Sequence, residues 1–437
     1  MKIVSSYKVK IKDYNHIFKD SIAMYRKAVS FLIDVCLNEW NDISVIKGEK
    51  AKQSYVEHLV HRTETYSNIK YDFDALFYKF PCYLLRSAIS EAIGKVSSYK
   101  SNYKNWEIRK TGKVPSIPRV GFDYPCLYKG NMFVRLDDYT AKIKVYRNNT
   151  WDWLEVKLRK TDVDYIKKYC GFRKECAPTL ERRNKEWFLT FPFEEKVKLH
   201  KTDINEQIIA AVDLGINNAC TISIIRSNGT ILDRKFLKLS KEQDSLKHSI
   251  NRIKKAGQHG NKKTPRLWAR AKGINHDIAV KTAQYIIDVA VLYNVDTIVF
   301  EHLERKGKIK GSKKQKLHLW KSQAVQTVVT NKAHRLGMRI SRVNAWGTSM
   351  LAYDGSGFVE RGIDDNYSIC RFTNGKIYNC DLSASYNIGA RYFIREILKS
   401  LPAKSRLQLE AKVPQVCKRS TCTFSTLISL NAVLISV

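Results

Sequence analysis

Three acidic residues of this chain, Asp213, Glu301 and Asp381, lie where a carboxylate is costly. Each follows or ends a short apolar run, in IIAAVDLG, VDTIVFEH and IYNCDLSAS, that is typical of a buried strand or its edge. A buried carboxylate is unfavourable unless a cation binds it. Carboxylate oxygens bind divalent metal ions, and two such ions about 4 Å apart can drive phosphodiester hydrolysis. The three acids together predict a metal-dependent site, although Asp213 alone is equally compatible with a turn or cap residue.

The net charge indicates the kind of substrate. The 437 residues include 77 Lys and Arg against 42 Asp and Glu, a formal net charge of +35. Such a charge attracts nucleic acid or an anionic membrane. No apolar run approaches the roughly 20 residues that cross a bilayer, and the basic residues are spread along the chain, so no membrane partner is expected. The opening MKIVSSYKVKIKDY places charges where a signal peptide needs apolar residues, which favours a cytoplasmic location, in the bacterial cytosol or at the nucleoid.

The hydrophobic periodicity predicts two different halves. The first begins with a strand in IVSSYKVKI, continues with helices over 17–40 and 74–106, and ends in strands such as AKIKVYR and EWFLTFPF. The second reads strand, hairpin, helix, strand, helix, strand, which is an α/β layer with a mixed sheet. We therefore expect an amino-terminal module at 1–194 with a helical insert at about 17–107, and a polar linker at 195–207. An α/β domain at 208–400, with a last helix predicted over 383–400 just after Asp381, and a tail at 401–437 follow.

Two basic runs are candidates for phosphate contact. The first has no acidic residue, unlike an ordinary solvated helix face, and lies in a predicted insert at 241–273. The second follows Glu301 and contains glycines, which indicates a flexible loop beside the acids. The residues predicted to bind nucleic acid are Arg252, Lys254, Lys255, Lys262, Lys263, Arg266, Arg270 and Lys272 in the first run, and Arg305, Lys306, Lys308, Lys310, Lys313 and Lys314 in the second.

The motifs around the three acids resemble those of RuvC-like nucleases of the RNase H fold, in the form found in TnpB proteins of insertion sequences. AAVDLGINNACTISI, IVFEHLERK and CDLSASYNIGARYF stand in the places of the three family motifs. In the third, Ala384, Asn387 and Ile388 match the family pattern, and Thr348 matches a family Thr-Ser pair. The resemblance covers about 208–393 firmly and the first half only in general character.

The resemblance implies an RNA-guided DNA endonuclease encoded by a transposable element, with Asp213, Glu301 and Asp381 as catalytic metal ligands. It implies two Mg²⁺ ions, with Mn²⁺ as an alternative, and a guide RNA and double-stranded DNA as partners, and we expect a monomer. The implied fold is a RuvC-like domain with an amino-terminal β-barrel-like wedge carrying a helical recognition segment. A compact type V CRISPR effector, or a non-cleaving nucleic-acid-binding regulator of transposition, is the alternative. The intact triad argues against the regulator.

Two departures from the family pattern stand out. The family carries a four-cysteine zinc ribbon, whereas the corresponding segment here, 346–380, keeps only Cys370 and Cys380. Because zinc sites need four ligands, we expect a degenerate ribbon without zinc, in which these cysteines are remnants. A zinc site completed by other ligands remains the alternative. Ser383 replaces the usual Asn of the third motif, and we expect activity to be retained.

Overall fold

The structure is a computed structural model that describes residues 1–12, 16–64, 66–215, 218–261, 263–303, 313–363 and 366–435. The chain divides into two compact units. One comprises Lys2–Glu195, and the other comprises Lys196–Val437 together with Met1. No helix among the described residues is long and apolar enough to cross a membrane.

The amino-terminal unit combines short strands with a group of helices inserted after the first strand. The helices are α1 (Ile17–Asn38), α2 (Trp40–Val45), α3 (Glu49–Val60), α4 (Phe73–Leu76), α5 (Cys82–Arg109) and α6 (Lys160–Cys170). The strands are β1 (Lys2–Lys10), β2 (Phe133–Arg135), β3 (Thr140–Arg147), β4 (Thr150–Lys157), β5 (Lys174–Glu175), β6 (Thr179–Arg183) and β7 (Glu186–Lys196).

These strands form two small sheets. In one, β7 pairs with β1, β5 and β6, and in the other the order is β2-β3-β4. The hairpin between β3 and β4 turns at Asn148 and Asn149, whose φ angles of 49° and 56° lie in the left-handed region that two-residue hairpin turns require. An isolated bridge between Ile11 and Leu158 links the ends of the two sheets.

The helical insert forms the core of this unit. Helices α1 and α5 pack against each other and against the sheets in one hydrophobic cluster, where the Phe18 and Trp187 rings meet edge to face at 5.1 Å. The predicted helix over 74–106 is wrong in its start, because the chain forms the short α4 and then begins α5 at Cys82. Pro81 precedes α5 as its N-cap, and a proline disfavours helical backbone at the residue before it.

The second unit contains the larger sheet. Its strands are β8 (Ile208–Asp213), β9 (Cys220–Arg226), β10 (Ile231–Leu237), β11 (Thr297–His302), β12 (Arg339–Asn344), β13 (Glu360–Ile363), β14 (Asn366–Arg371) and β15 (Ile377–Asn379). Its helices are α7 (Ser240–Gln258), α8 (Pro265–Leu292), α9 (Lys313–Arg335), α10 (Cys380–Ser400), α11 (Ala403–Lys412) and α12 (Phe424–Ile435), with 3-10 turns at Pro414–Cys417 and Arg419–Thr421.

Five strands form a mixed sheet in the order β10-β9-β8-β11-β12. The first three are antiparallel neighbours, and β11 runs parallel to both β8 and β12. Alternate residues of each strand enter different cores: Ala211 and Val299 pack with α10, whereas Val212 and Phe300 pack with α8 and α9. The predicted mixed α/β architecture with several sheets is confirmed.

Helix α10 is buried on nearly every side because it lies between the sheet and the carboxyl-terminal helices. Leu427 and Leu430 of α12 belong to the same core as α10 and the sheet. Gly389 allows the close approach: a Cβ atom there would lie 2.6 Å from Cδ1 of Ile225 and 3.2 Å from Cβ of Ala211. A helix buried all round is expected to be apolar around most of its circumference, so polar residues in α10 need partners.

Candidate active site

Asp213 and Glu301 lie side by side at one edge of the five-stranded sheet. Phe300 is aligned with Val212 in the parallel β8–β11 pair, so Asp213 and Glu301 are the next residues along the two strands. Both continue the alternate positions, Ala211 and Val299, that face α10. Carboxyl ends of parallel strands meet at one edge, which is where open α/β sheets place their sites.

Asp381 reaches this edge from the first turn of α10. The helix begins at Cys380, three residues earlier than predicted, because the Asn379 side chain accepts a hydrogen bond from the Leu382 amide at 2.9 Å and caps it. The Asn218 amide donates to Oδ2 of Asp381 at 2.9 Å. A Cβ atom at Gly215 would lie 3.6 Å from the same oxygen, so the chain after β8 passes close to Asp381.

The three carboxylates are each partly buried, and the charges of Glu301 and Asp381 both act on Asp213. Burial raises the pKa of Asp213 well above its usual value, and the negative charges of Glu301 and Asp381 raise it further. Burial also raises the pKa of Glu301, although the Thr348 hydroxyl and the Arg391 charge act in the opposite direction. Asp213 is therefore the central member of the group, and its charge lacks full compensation.

Thr348 ties Glu301 to α10. Its hydroxyl hydrogen bonds to the Glu301 carboxylate and also lies 2.9 Å from the Ala345 carbonyl. The buried Asn387 amide of α10 donates to the carbonyls of Thr348 at 3.0 Å and Leu351 at 2.8 Å, and its oxygen accepts from the Phe424 amide at 3.0 Å. This polar network fixes the 345–351 segment between Glu301 and the carboxyl-terminal helices.

Arg391 secures the same segment from the other end. Its guanidinium donates to the carbonyls of Asn344 at 2.8 Å, Trp346 at 2.7 Å and Cys422 at 3.0 Å. The side chain is buried, and its charge lowers the pKa of the neighbouring Glu301 without a direct ion pair between them among the described contacts. Arg391 thus supports Glu301 electrostatically while holding the backbone after β12.

Lys321 of α9 is a buried lysine beside the loop that follows Asp213. Its ammonium donates to the Gly215 carbonyl at 3.0 Å, and burial lowers the pKa of Lys321 to about 8. The nearby Gln326 amide donates to the Glu301 carbonyl at 3.0 Å.

Sequence reasoning missed Lys321, Gln326 and Asn218. The available signal was a lysine and a glutamine at helical spacing on a face that otherwise carries Val325 and Val329.

Hard oxygen donors and uncompensated negative charge fit a divalent cation at this edge. Within the described part of the chain, none of the three carboxylates forms a salt bridge with Lys or Arg. In the same residues, no three or more His, Cys, Asp and Glu side chains are grouped so that they could hold a metal ion. The site thus has the charge that a metal requires, without a closed set of ligands in this conformation.

The first basic run lies on a helical hairpin. Helices α7 and α8 pack through a small apolar cluster that includes Ile253 and Ala271. Lys262 lies outside the described residues, and the other predicted members of the run are exposed: Arg252, Lys254, Lys255, Lys263, Arg266, Arg270 and Lys272. Of the second run, Lys313 and Lys314 are at the start of α9, and the remaining predicted residues, Arg305, Lys306, Lys308 and Lys310, lie outside the described residues.

The predicted ribbon segment forms the three-stranded sheet β13-β14-β15. Cys370 and Cys380 are both buried there, in a cluster with Ala352 and Phe372. Burial raises the pKa of Cys370 to about 12, and its thiol donates to the Tyr378 carbonyl at 3.4 Å. The two cysteines contribute apolar packing beneath the start of α10.

The fold is shared with RNA-guided CRISPR effectors of known structure. The Cas12f1–sgRNA–target DNA complex matches 84% of this chain and 81% of its own, with a TM-score of 0.51 and 15% identity. The mini-RNA-guided endonuclease CRISPR-Cas_phi3 matches 89% of this chain and 92% of its own, with a TM-score of 0.54 and 11% identity. At these identities the likeness is one of fold.

Sequence relatives come from Aquifex aeolicus (strain VF5). TnpB-like protein aq_aa05 is 26% identical over 243 residues, 50% of this chain and 78% of the relative. Uncharacterized protein aq_aa04 is 29% identical over 151 residues, 31% of this chain and 82% of the relative. The Aq_aa04 family model matches residues 5–147. The resemblance to TnpB proteins and compact type V effectors that the motifs predicted is confirmed.

Proposed function

We propose that this chain is an RNA-guided DNA endonuclease of the TnpB type, encoded by a transposable element and acting on double-stranded DNA. The observation that carries the proposal is the convergence of Asp213, Glu301 and Asp381 at the sheet edge. The order β10-β9-β8-β11-β12, with β11 parallel to β8, supports a RuvC-like domain of the RNase H fold. The two small sheets around the Ile11–Leu158 bridge support a barrel-like amino-terminal module carrying a helical recognition insert.

In this proposal the three carboxylates hold two Mg²⁺ ions, with Mn²⁺ as the alternative. Ions bound in this way make water a stronger nucleophile and stabilise the leaving oxygen of a phosphodiester. Among the described contacts, Thr348 bonds to Oε1 of Glu301 and Asn218 to Oδ2 of Asp381, so these two neighbours would orient the carboxylates that hold the metal ions. Asp213, which both other acids repel, is the member expected to gain most from the bound charge.

The exposed basic residues of α7 and α8 are proposed to hold nucleic acid by its phosphates. The seven described members of the first basic run are all exposed on this hairpin and its loop. Phosphate contacts of this kind carry no sequence information, so target choice in the proposal comes from pairing between the guide RNA and DNA. Purified protein should therefore retain one discrete RNA, and sequencing of a random RNA population would contradict guiding.

The test replaces each acid with its uncharged isostere, in Asp213→Asn, Glu301→Gln and Asp381→Asn. Cleavage of a target plasmid by the purified protein–RNA complex should be abolished, while retention of the copurified RNA stays near normal. Asp288→Asn is the matched control, because Asp288 is exposed on α8 and its carboxylate accepts a bond from Gln284 at 2.7 Å. Cleavage that survives both the Asp213 and Glu301 changes would refute the assignment.

A further inference from the structure

A pocket in the amino-terminal unit has a lining suited to a nucleotide. It lies between α1, the segment 122–124 and the β6–β7 hairpin, and its volume is about 370 Å³. Ligand pockets usually begin at about 300 Å³. Three cationic and three aromatic side chains dominate the lining: Lys19, Arg26, Arg182, Phe122, Tyr124 and Trp187.

Two aromatic side chains of the pocket, Tyr124 and Trp187, are held in place before any ligand binds. The Arg26 guanidinium lies 5.1 Å from the Tyr124 ring centre and donates to the Asp123 carbonyl at 3.0 Å. The Tyr124 hydroxyl donates to the Arg182 carbonyl at 3.0 Å. The Arg182 guanidinium in turn lies 5.5 Å from the Trp187 ring centre. A preformed wall of this kind lowers the entropic cost of binding.

Phe122 is the unusual member of the lining. Its side chain is 90% exposed, although neighbouring Asp123 and Pro125 are buried. An exposed aromatic ring beside a pocket offers a face on which a base can stack. Phe122 therefore supplies the stacking surface that the enclosed Tyr124 and Trp187 rings do not.

The charged side chains that line the pocket are all cationic. No acidic residue is among its lining, and the carboxylate of Asp123, next to Phe122, pairs with Lys95 at 2.7 Å and accepts from the Gly121 amide at 2.8 Å. Nε of Arg182 and Nε1 of Trp187 are buried without a hydrogen-bond partner among the described residues. Buried donors without partners favour a polar or anionic ligand.

We propose that this pocket binds one unstacked nucleotide of a single strand, with the base on Phe122 and the phosphate beside Arg26 and Arg182. The inference deepens the proposed function and rests on it for the presence of a bound strand. RNA and DNA offer the same nucleoside phosphate, and the test below separates them.

The experiment measures binding of the full chain to short single-stranded RNA and DNA, each carrying one 2-aminopurine whose fluorescence falls on stacking. Phe122→Ala should weaken binding of at least one strand about ten-fold and restore its fluorescence, because base–aromatic stacking contributes on this scale. Phe172→Ala is the matched control, since Phe172 is 73% exposed in the same unit and does not line the pocket. If binding of only the RNA or only the DNA falls, that strand is the one that supplies the nucleotide.

A second pair of variants tests the charge. Arg182→Gln should reduce the slope of log affinity against log salt by about 0.7, the value for one phosphate of a single strand. Arg183→Gln should leave the slope unchanged, because Arg183 is exposed and bonds to Glu181 at 3.2 Å. The proposed nucleotide site would be refuted if Phe122→Ala bound both RNA and DNA as tightly as the wild type. It would also be refuted if Phe172→Ala lost as much affinity as Phe122→Ala. Neither result depends on cleavage, so failure of the nuclease assignment is a separate outcome.

Discussion

Replacing Thr348 with Val should destabilise the second unit by removing the donor to Glu301. Valine has nearly the shape of threonine without the hydroxyl, so the main change at this buried position is the loss of that donor. A hydrogen bond to a charged group contributes about 1.5–3 kcal/mol. Because Glu301 is partly buried, we expect a loss of about 2 kcal/mol in the free energy of unfolding at neutral pH.

Thr348→Ser is the matched control, because it keeps the hydroxyl and loses only a methyl group, worth about 1 kcal/mol when buried. The assay is urea unfolding, followed by fluorescence, in buffer containing a chelator, so that bound metal does not contribute. The double variant with Glu301→Gln isolates the pair, since the neutral amide gains less from a donor. We expect a coupling energy of about 1 kcal/mol between positions 301 and 348.

The pH dependence gives a second readout. The Thr348 hydroxyl lowers the pKa of Glu301 against the effect of burial, so its contribution exists where Glu301 is ionised. The stability difference between the Ser and Val variants should therefore be largest at neutral pH and shrink as pH falls through the Glu301 pKa. A coupling below about 0.5 kcal/mol, or a difference that does not change with pH, would refute the reasoning.

Three further predictions concern other residues of the second unit. Burial and the neighbouring acids raise the pKa of Asp213, so Asp213→Asn should raise the midpoint of thermal unfolding in chelator. The same variant should be stabilised less by added Mg²⁺. The wild-type protein should lose stability as the pH rises from the unfolded-state to the folded-state pKa of Asp213. The triple variant Arg252→Gln, Arg266→Gln and Arg270→Gln should lower the slope of log affinity against log salt for DNA duplex binding by about 2–3. The control triple variant Lys404→Gln, Lys412→Gln and Lys418→Gln should leave this slope unchanged. Filter binding across a salt series measures both slopes. Asn387→Leu should cost about 3 kcal/mol or more in urea unfolding, because it leaves two carbonyls and the Phe424 amide without their buried partner; a change below about 1 kcal/mol would contradict the network.

Some elements followed directly from the pattern of residues. The apolar runs in Ile208–Asp213 and Thr297–His302 predicted strands, and both are observed. Because side chains alternate along a strand and Phe300 is aligned with Val212, Asp213 and Glu301 lie on one face of the sheet. Element boundaries were less accurate where a single local interaction decides them, as in the Asn379 cap that starts α10 at Cys380. The catalytic role of the three acids remains a prediction.

The sequence by itself determined the three acids, the strands and helix that carry them, and the positive charge of the chain. These features depend on residue types and on short spacings along the sequence, which composition and hydrophobic periodicity show directly. Only the tertiary structure decided that Thr348 reaches Glu301, that Asn218 reaches Asp381, and that Lys321 supports the loop after Asp213. Such contacts join residues 47 to 163 positions apart. They depend on strand register and on how closely α10 approaches the sheet, which local patterns do not encode.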